Sequence, residues 1–515
     1  MHWLSIFLLL CTITRDASAN YPFPQNPKPL HEVFQVDLRY DPAHPERYPS
    51  SCGRLMPGAR IAQTNPFGGR PIYDPHVDFH KRDANMLNHI WYQAYAMLSA
   101  ARAAIWPGNY ALPQTYSLVF SFFGLYPDLD ADDKEPEGGD KVFLDVLRAR
   151  YEGVQKTMEH AQVDGRLKPK LFCGGAYWEM QFAGSPARQR DGNIIKHRDG
   201  TPTTLQEWEK LNGRNFGDSW YLWFDIDFPS GKEKGYIVLD KEEYPPGSAS
   251  LPYPWPLASN GQPDFCRLEI YAQVLHMTTP PTREGTDAWH VADHVILCPR
   301  SFDFEVNIND IDRTTRQTEG TNGQGGTHID TLEVPGTTLL HELHHVAFKD
   351  FSNDVRPWFP KRVPDNMNGV ISKDFPHLKS GFTQSRVRGA AQGATQSMSI
   401  ALYEQAEPWT SSNAIRSIFA PESAAWFARA THLTMQTRQD WSTGFCQPWD
   451  TQPLQGPLAP IVESCLEEVT GAKFFDSRLQ SNISITKAAH GVRNPWEVPL
   501  CDIFRQVMAR SQIWP

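Results

Sequence analysis

The segment His341-Glu342-Leu343-His344-His345 places two imidazoles four residues apart, with a carboxylate directly after the first of them. Side chains four residues apart lie on one face of an α-helix, so His341 and His345 can converge on a single metal ion. Glu342 is turned by roughly 100° about the helix axis, so it can reach a water near that ion without binding the ion. The spacing predicts one Zn²⁺ bound by His341 and His345, with Glu342 as general base.

This arrangement predicts a specific kind of hydrolysis. Zinc held by three protein ligands keeps a fourth position for water and lowers the pKa of that water to about 7. The carboxylate would accept the remaining proton and pass it to the leaving amine, while the metal stabilises the oxyanion. We therefore expect a zinc-dependent endopeptidase that acts on protein or peptide substrates.

A third protein ligand must follow the helix, and the sequence offers three candidates. Asp374 ranks first because it lies in a loop 29 residues after His345 that is able to fold back. Glu404, on a predicted helix, would give a site of two histidines and one glutamate. Asp354 is close to the end of the helix. A third histidine in the pattern HExxHxxGxxH is excluded, because none occurs at the required offset.

The metal-binding segment itself predicts a buried helix near 337–348, with Pro335-Gly336-Thr337-Thr338 as its start. Its leucines at 339, 340 and 343 and Val346 would bury one side of that helix. His344 projects about 100° away from the other two histidines, which places it at the surface or in support of the site. A strand at 294–298 either lies buried or forms an edge that receives an extended substrate.

The remaining pattern predicts an α+β fold: a zincin-like, mainly α-helical catalytic domain with a small mixed β-sheet and long loop insertions. Apolar residues recur with helical spacing over 83–105 and 140–161. Runs rich in β-branched and aromatic residues between 170 and 300 predict the strands of one small mixed sheet. Proline- and glycine-rich stretches at 244–264 and 316–336 are typical of insertions around a cleft.

The N-terminus indicates export. Residues 1–19 combine a short apolar core with Ala17-Ser18-Ala19, which is typical of a signal peptide, and no later segment is predicted to span a membrane. Residues 20–78 are rich in proline and form either an extended arm or a removed pro-segment. Residues 79–515 are expected to form a single large domain.

Cysteine usage and charge agree with a secreted protein. Seven cysteines follow the signal segment, so several disulfides are expected, with one cysteine left over and the connectivity open. Asn482-Ile483-Ser484 is a glycosylation sequon. A net charge of −10 disfavours nucleic acid and anionic membranes as partners. The oligomeric state is left open.

Three segments resemble fungal secreted metallopeptidases related to deuterolysins: 338–345, the strand 295–299 and the stretch 394–403. The resemblance covers roughly 290–406 and implies an α-rich zincin domain whose third ligand is an aspartate in a GTxxD segment. The corresponding Gly369–Asp374 segment departs from that pattern, because its aspartate stands one residue too far along. That departure supports an alternative function, a catalytically silent, zincin-fold binding or effector protein.

Overall fold

The computed structural model describes residues 27–55, 86–159, 168–241, 264–275, 293–301, 329–348, 358–360, 382–384, 393–405 and 417–442, with short gaps inside several of these ranges. Within them the helices are α1 Leu30–Val33, α2 Met86–Ile105, α3 Pro113–Phe123, α4 Gly138–Glu159, α5 Leu205–Leu211, α6 Pro335–Ala347, α7 Ala394–Gln405 and α8 Pro421–Thr437. The strands are β1 Gln35–Val36, β2 Lys170–Phe172, β3 Glu179–Gln181, β4 Ser219–Phe228, β5 Gly231–Asp240, β6 Ala272–Leu275, β7 His294–Leu297, β8 Trp358–Pro360 and β9 Phe382–Gln384. The predicted α+β class is confirmed for this part of the chain.

The long helices are those that the apolar spacing predicted. Helix α2 was expected over 83–105 and α4 over 140–161, and both are observed within three residues of those limits. Each buries a continuous apolar stripe, which includes Ile90 and Trp91 in α2 and Leu147 and Val154 in α4. Helix α2 packs against α6 and α8, and α4 packs against α2 and α6, and this burial is the main source of their stability.

The prediction of one small mixed sheet was wrong, because the strands form three sheets. A four-stranded mixed sheet has the order β1-β2-β7-β6, with only the β6–β7 pair antiparallel. Strands β3, β4 and β5 form a separate antiparallel sheet, and β8 pairs with β9. Strands β4 and β5 follow one another closely along the chain and pair over ten residues each, so they pair locally and do not extend the first sheet.

Strand β7 shows how the four-stranded sheet separates two cores. Val295 and Leu297 belong to the large helical core, whereas Ile296 belongs to a second core built with the β3–β4–β5 sheet. Strand β7 lies between β2 and β6, and hydrogen bonds occupy both of its sides. Of the two alternatives left open for this strand, the buried strand is the one observed, since an internal strand has no open side to receive a substrate.

Two disulfides each hold the C-terminal end of one strand of this sheet. Cys52 pairs with Cys173, directly after β2, and Cys266 pairs with Cys298, directly after β7. The prediction of several disulfides is confirmed to this extent, while the cysteines at 446, 465 and 501 lie outside the described residues. No helix among the described residues is long and apolar enough to cross a membrane.

The described part of the 20–78 segment is integrated into the fold. Strand β1 pairs in parallel with β2, and Leu30, Val33 and Phe34 are buried in the helical core. These contacts make the described part of this segment integral to the fold, while the choice between a retained arm and a removed pro-segment stays a prediction. The predicted signal peptide, 1–19, lies outside the described residues.

His294 predicts loss of stability in acid. Its ring is fully buried, and its Nδ1 lies 2.9 Å from the Tyr177 hydroxyl. Desolvation, followed by the charge of Lys170, holds its pKa well below 6.5 in the folded state. In the unfolded chain the His294 ring binds a proton near pH 6.5, whereas in the folded chain it stays neutral at that pH. The free energy of unfolding therefore decreases as the pH falls below 6.5. We expect a loss of about 2 kcal/mol from this residue between pH 8 and pH 5.

The measurement is denaturant unfolding at several pH values for the parent, His294→Gln and Tyr177→Phe. In the His294→Gln protein, the free energy of unfolding should lose the part of its pH dependence that comes from the uptake of one proton. Tyr177→Phe removes the hydrogen-bond partner but not the titrating ring, so it should shift the stability while keeping the slope. Equal slopes for the parent and His294→Gln would refute the assignment.

Candidate metal centre

Helix α6 is held in the interior by its apolar side. Leu339, Leu340 and Leu343 are fully buried, and the helix contacts α2, α4 and α8. Close approach to α2 requires Gly336, where a β-carbon would lie 2.6 Å from the Cβ of Gln93. The predicted helix near 337–348 is confirmed, with bounds Pro335–Ala347.

The two histidines that were predicted to bind metal point toward each other. Nε2 of His341 lies 3.2 Å from Nε2 of His345, and both rings are partly exposed. The side chain of Glu342 is buried, and its Oε1 lies 3.9 Å from Nε2 of His341. The structure therefore brings all three predicted side chains to one place.

The separation of the two nitrogens fits a zinc ion. With Zn–N distances of about 2.0–2.1 Å and tetrahedral angles, two ligating nitrogens stand about 3.3 Å apart. The observed 3.2 Å agrees with that value. The same distance also suits a direct hydrogen bond between two neutral imidazoles, so the geometry allows a metal site without requiring a metal.

A carboxylate that the sequence reading missed orients His341. Oε2 of Glu422, at the start of α8, lies 2.7 Å from Nδ1 of His341. A carboxylate only accepts, so Nδ1 of His341 carries the hydrogen and donates it. This tautomer leaves the lone pair of Nε2 directed toward His345, as metal-binding histidines require. An acidic residue in the first turn of a helix is common for dipole reasons, so nothing in the sequence linked Glu422 to a histidine 81 residues earlier.

Glu422 is itself held by two donors. Its Oε1 accepts the backbone N–H of Gly393 at 2.6 Å and Nε1–H of Trp426 at 3.0 Å. Gly393 has a φ of +86°, and a β-carbon there would lie 2.9 Å from Oδ1 of Asp330, so a larger residue would be strained. The start of α7 thus fixes the carboxylate that fixes the imidazole.

His344 lies apart from the pair and is not at the surface. It is fully buried and faces α4, where its ring makes an edge contact with Tyr151 at 5.5 Å between centroids. Among the described residues neither ring nitrogen has a hydrogen-bond partner. Desolvation, with smaller effects from neighbouring charges, holds its pKa well below 6.5, so the ring is neutral. The alternative of a surface position was wrong, because α4 packs over this residue.

The third ligand is not placed. Asp374 and Asp354 lie outside the described residues. Glu404 lies near the C-terminal end of α7, whereas the contact with Glu422 is made at the N-terminal end of that helix. In the described parts of the chain, no group of three or more histidine, cysteine, aspartate or glutamate side chains is close enough to hold a metal ion.

Comparisons of this chain with protein-family models, with characterised proteins and with solved structures find no match. The resemblance to deuterolysin-related peptidases therefore rests on the sequence segments alone. A fold class by itself does not define an activity, so the function has to be argued from the geometry of the site.

Proposed function

We propose that this chain is a secreted, zinc-dependent endopeptidase with a zincin-like catalytic domain. The observation that carries the proposal is the convergence of the Nε2 atoms of His341 and His345 at 3.2 Å, beside the buried carboxylate of Glu342. His341 and His345 would bind one Zn²⁺, and Asp374 remains the first candidate for the third ligand, ahead of Glu404 and Asp354. When bound, zinc would supply a Lewis acid and would lower the pKa of a nearby water, which makes that water a nucleophile at neutral pH once Glu342 takes its proton.

The chain's own residues then have distinct tasks. Glu422 holds His341 in the tautomer that offers Nε2. Glu342, one residue from the first ligand, accepts the proton of the attacking water and returns it to the leaving amine. Its burial excludes bulk water, so the carboxylate acts in a low-dielectric site where its charge interacts more strongly. The substrate class is extracellular protein or peptide.

Two disulfides and one sequence feature support an extracellular location. The Cys52–Cys173 and Cys266–Cys298 bonds are stable in an oxidising compartment and rare in a reducing one. The N-terminal signal-like segment agrees with export.

The proposal is tested on purified protein by measuring zinc stoichiometry and hydrolysis of casein and of a peptide library. We expect one zinc per chain, activity that a zinc chelator abolishes, and recovery when zinc is returned. Zinc binding with no turnover of any peptide would favour the silent binding or effector protein that the altered 369–374 segment motivates. Absence of zinc binding would contradict both functions.

Glu422→Gln should weaken zinc binding about 10–100-fold. The two N–H donors from Gly393 and Trp426 keep the amide oxygen at the Oε1 position, so the NH₂ group faces Nδ1 of His341. An NH₂ group donates, and this favours the tautomer with hydrogen on Nε2, which does not bind metal. Competition with a chromophoric chelator measures the affinity. Unchanged affinity would show that Glu422 does not set the tautomer.

A further inference from the structure

A pocket of about 250 Å³ lies beside α2 and α8, next to Val334, the residue that precedes α6. It takes no part in the proposed zinc chemistry. Its walls are formed by Tyr92, Gln93, Ala96, Met97, Val334, Arg429, His432 and Gln436. Tyr92 and Gln436 are exposed and form the mouth of the pocket, whereas Arg429 is only 1% exposed and forms its deep end.

Arg429 is a buried cation whose only acceptor among the described residues is a neutral carbonyl oxygen. Its Nε and Nη2 both donate to the carbonyl oxygen of Leu332, at 3.1 and 2.8 Å. No described carboxylate forms an ion pair with it. Burial lowers its pKa to about 10, so the guanidinium remains charged at neutral pH. A guanidinium carries five N–H donors, and a charge buried without a counter-ion is costly, so the arrangement favours an anion.

The other walls define what kind of anion fits. The side-chain nitrogen and oxygen of Gln93 are both buried and have no hydrogen-bond partner in the described structure. Burial lowers the pKa of His432 to about 4, so its ring adds no positive charge at neutral pH. Ala96, Met97 and Val334 supply an apolar wall. The pocket therefore offers one positive charge, one unpaired amide and an apolar surface.

We propose that this pocket binds a monocarboxylate with a short apolar chain, its carboxylate paired with Arg429 and hydrogen-bonded to the Gln93 amide, and its chain against Met97 and Val334. A phosphate dianion fits less well, because the pocket presents a single charge and an apolar wall. Glu422 and Arg429 are seven residues apart on α8, which is two turns, or about 10 Å, on nearly the same face. The pocket is therefore a neighbour of the histidine pair and not part of it.

The test is titration calorimetry of the full chain with four small molecules: hexanoate, hexanamide, inorganic phosphate, and acetyl-Ala-Leu with a free C-terminus. The parent should bind a carboxylate at least about tenfold more tightly than hexanamide or phosphate. Whether hexanoate or the dipeptide binds more tightly tells a free organic acid from the end of a peptide chain, and either supports the proposal.

Variants separate the pocket from any metal at the histidines. Ala96→Trp fills the pocket and should abolish binding, Gln93→Leu should weaken it severalfold, and Glu342→Gln should leave it unchanged. Arg429→Met should cost at least about tenfold, and Ala96→Trp decides the question if Arg429→Met does not fold. No binding by the parent, equal binding of hexanamide, tighter binding of phosphate, or undiminished binding by Ala96→Trp would each overturn the proposal.

Discussion

Glu342→Gln is expected to reduce kcat/KM for peptide hydrolysis by about 10²–10⁴-fold while the protein keeps its zinc. The amide has nearly the shape of the carboxylate but cannot accept the proton of the attacking water. Glu342 is buried beside Nε2 of His341 and is not placed as a ligand, so its replacement should not disturb metal binding. Activity is measured on a fluorogenic peptide, and zinc by elemental analysis of the same sample.

A matched control is Glu137→Gln, which makes the same chemical change at an exposed position just before α4. It should behave like the parent in both measurements. Parent-like activity in Glu342→Gln would remove the general base from the proposal. Loss of zinc from Glu342→Gln would instead make this carboxylate a ligand.

His345→Phe is expected to reduce zinc affinity by more than about 100-fold, whereas His344→Phe should leave it unchanged. The two residues are adjacent in sequence, but His345 lies beside His341 at the candidate site and His344 lies in the hydrophobic core. Nε2 of His345 meets Nε2 of His341, while the ring of His344 packs against Tyr151 in the core. Phenylalanine removes the metal-binding nitrogen in the first case and keeps the aromatic contact in the second.

The two variants are also expected to differ in their effects on the free energy of unfolding. Because neither nitrogen of His344 has a described partner, replacing its ring by phenylalanine should leave the free energy of unfolding unchanged or raise it by about 1 kcal/mol. His345→Phe should abolish the stabilisation that added zinc gives the parent. Denaturant unfolding with and without zinc measures both. Zinc loss in His344→Phe together with retention in His345→Phe would reverse the assignment of the ligands.

The local parts of the site were predictable from sequence because they follow from the helix repeat. Residues four apart share a face whatever the surrounding fold, so the convergence of His341 and His345 needed only a helix. The leucines of 339–343 predicted that helix and its burial. The same reasoning gave α2 and α4, whose apolar stripes are long and regular.

The parts that were missed depend on contacts between distant segments. Glu422 reaches His341 across 81 residues, and its side chain looks like an ordinary first-turn acid until α8 is packed against α6. His344 is buried because α4 lies over it, which its position on the helix does not reveal. The division of the strands into three sheets depends on which neighbours pair, and short apolar runs do not specify their partners.

The Cys52–Cys173 bond has a consequence for maturation. It joins the N-terminal segment to the end of β2, on the far side of α2 and α4 in sequence. If a processing enzyme cut the chain between Cys52 and α2, the disulfide would keep the N-terminal piece attached. The product would be a two-chain molecule that separates only on reduction. Gel migration with and without a thiol would therefore report such a cut.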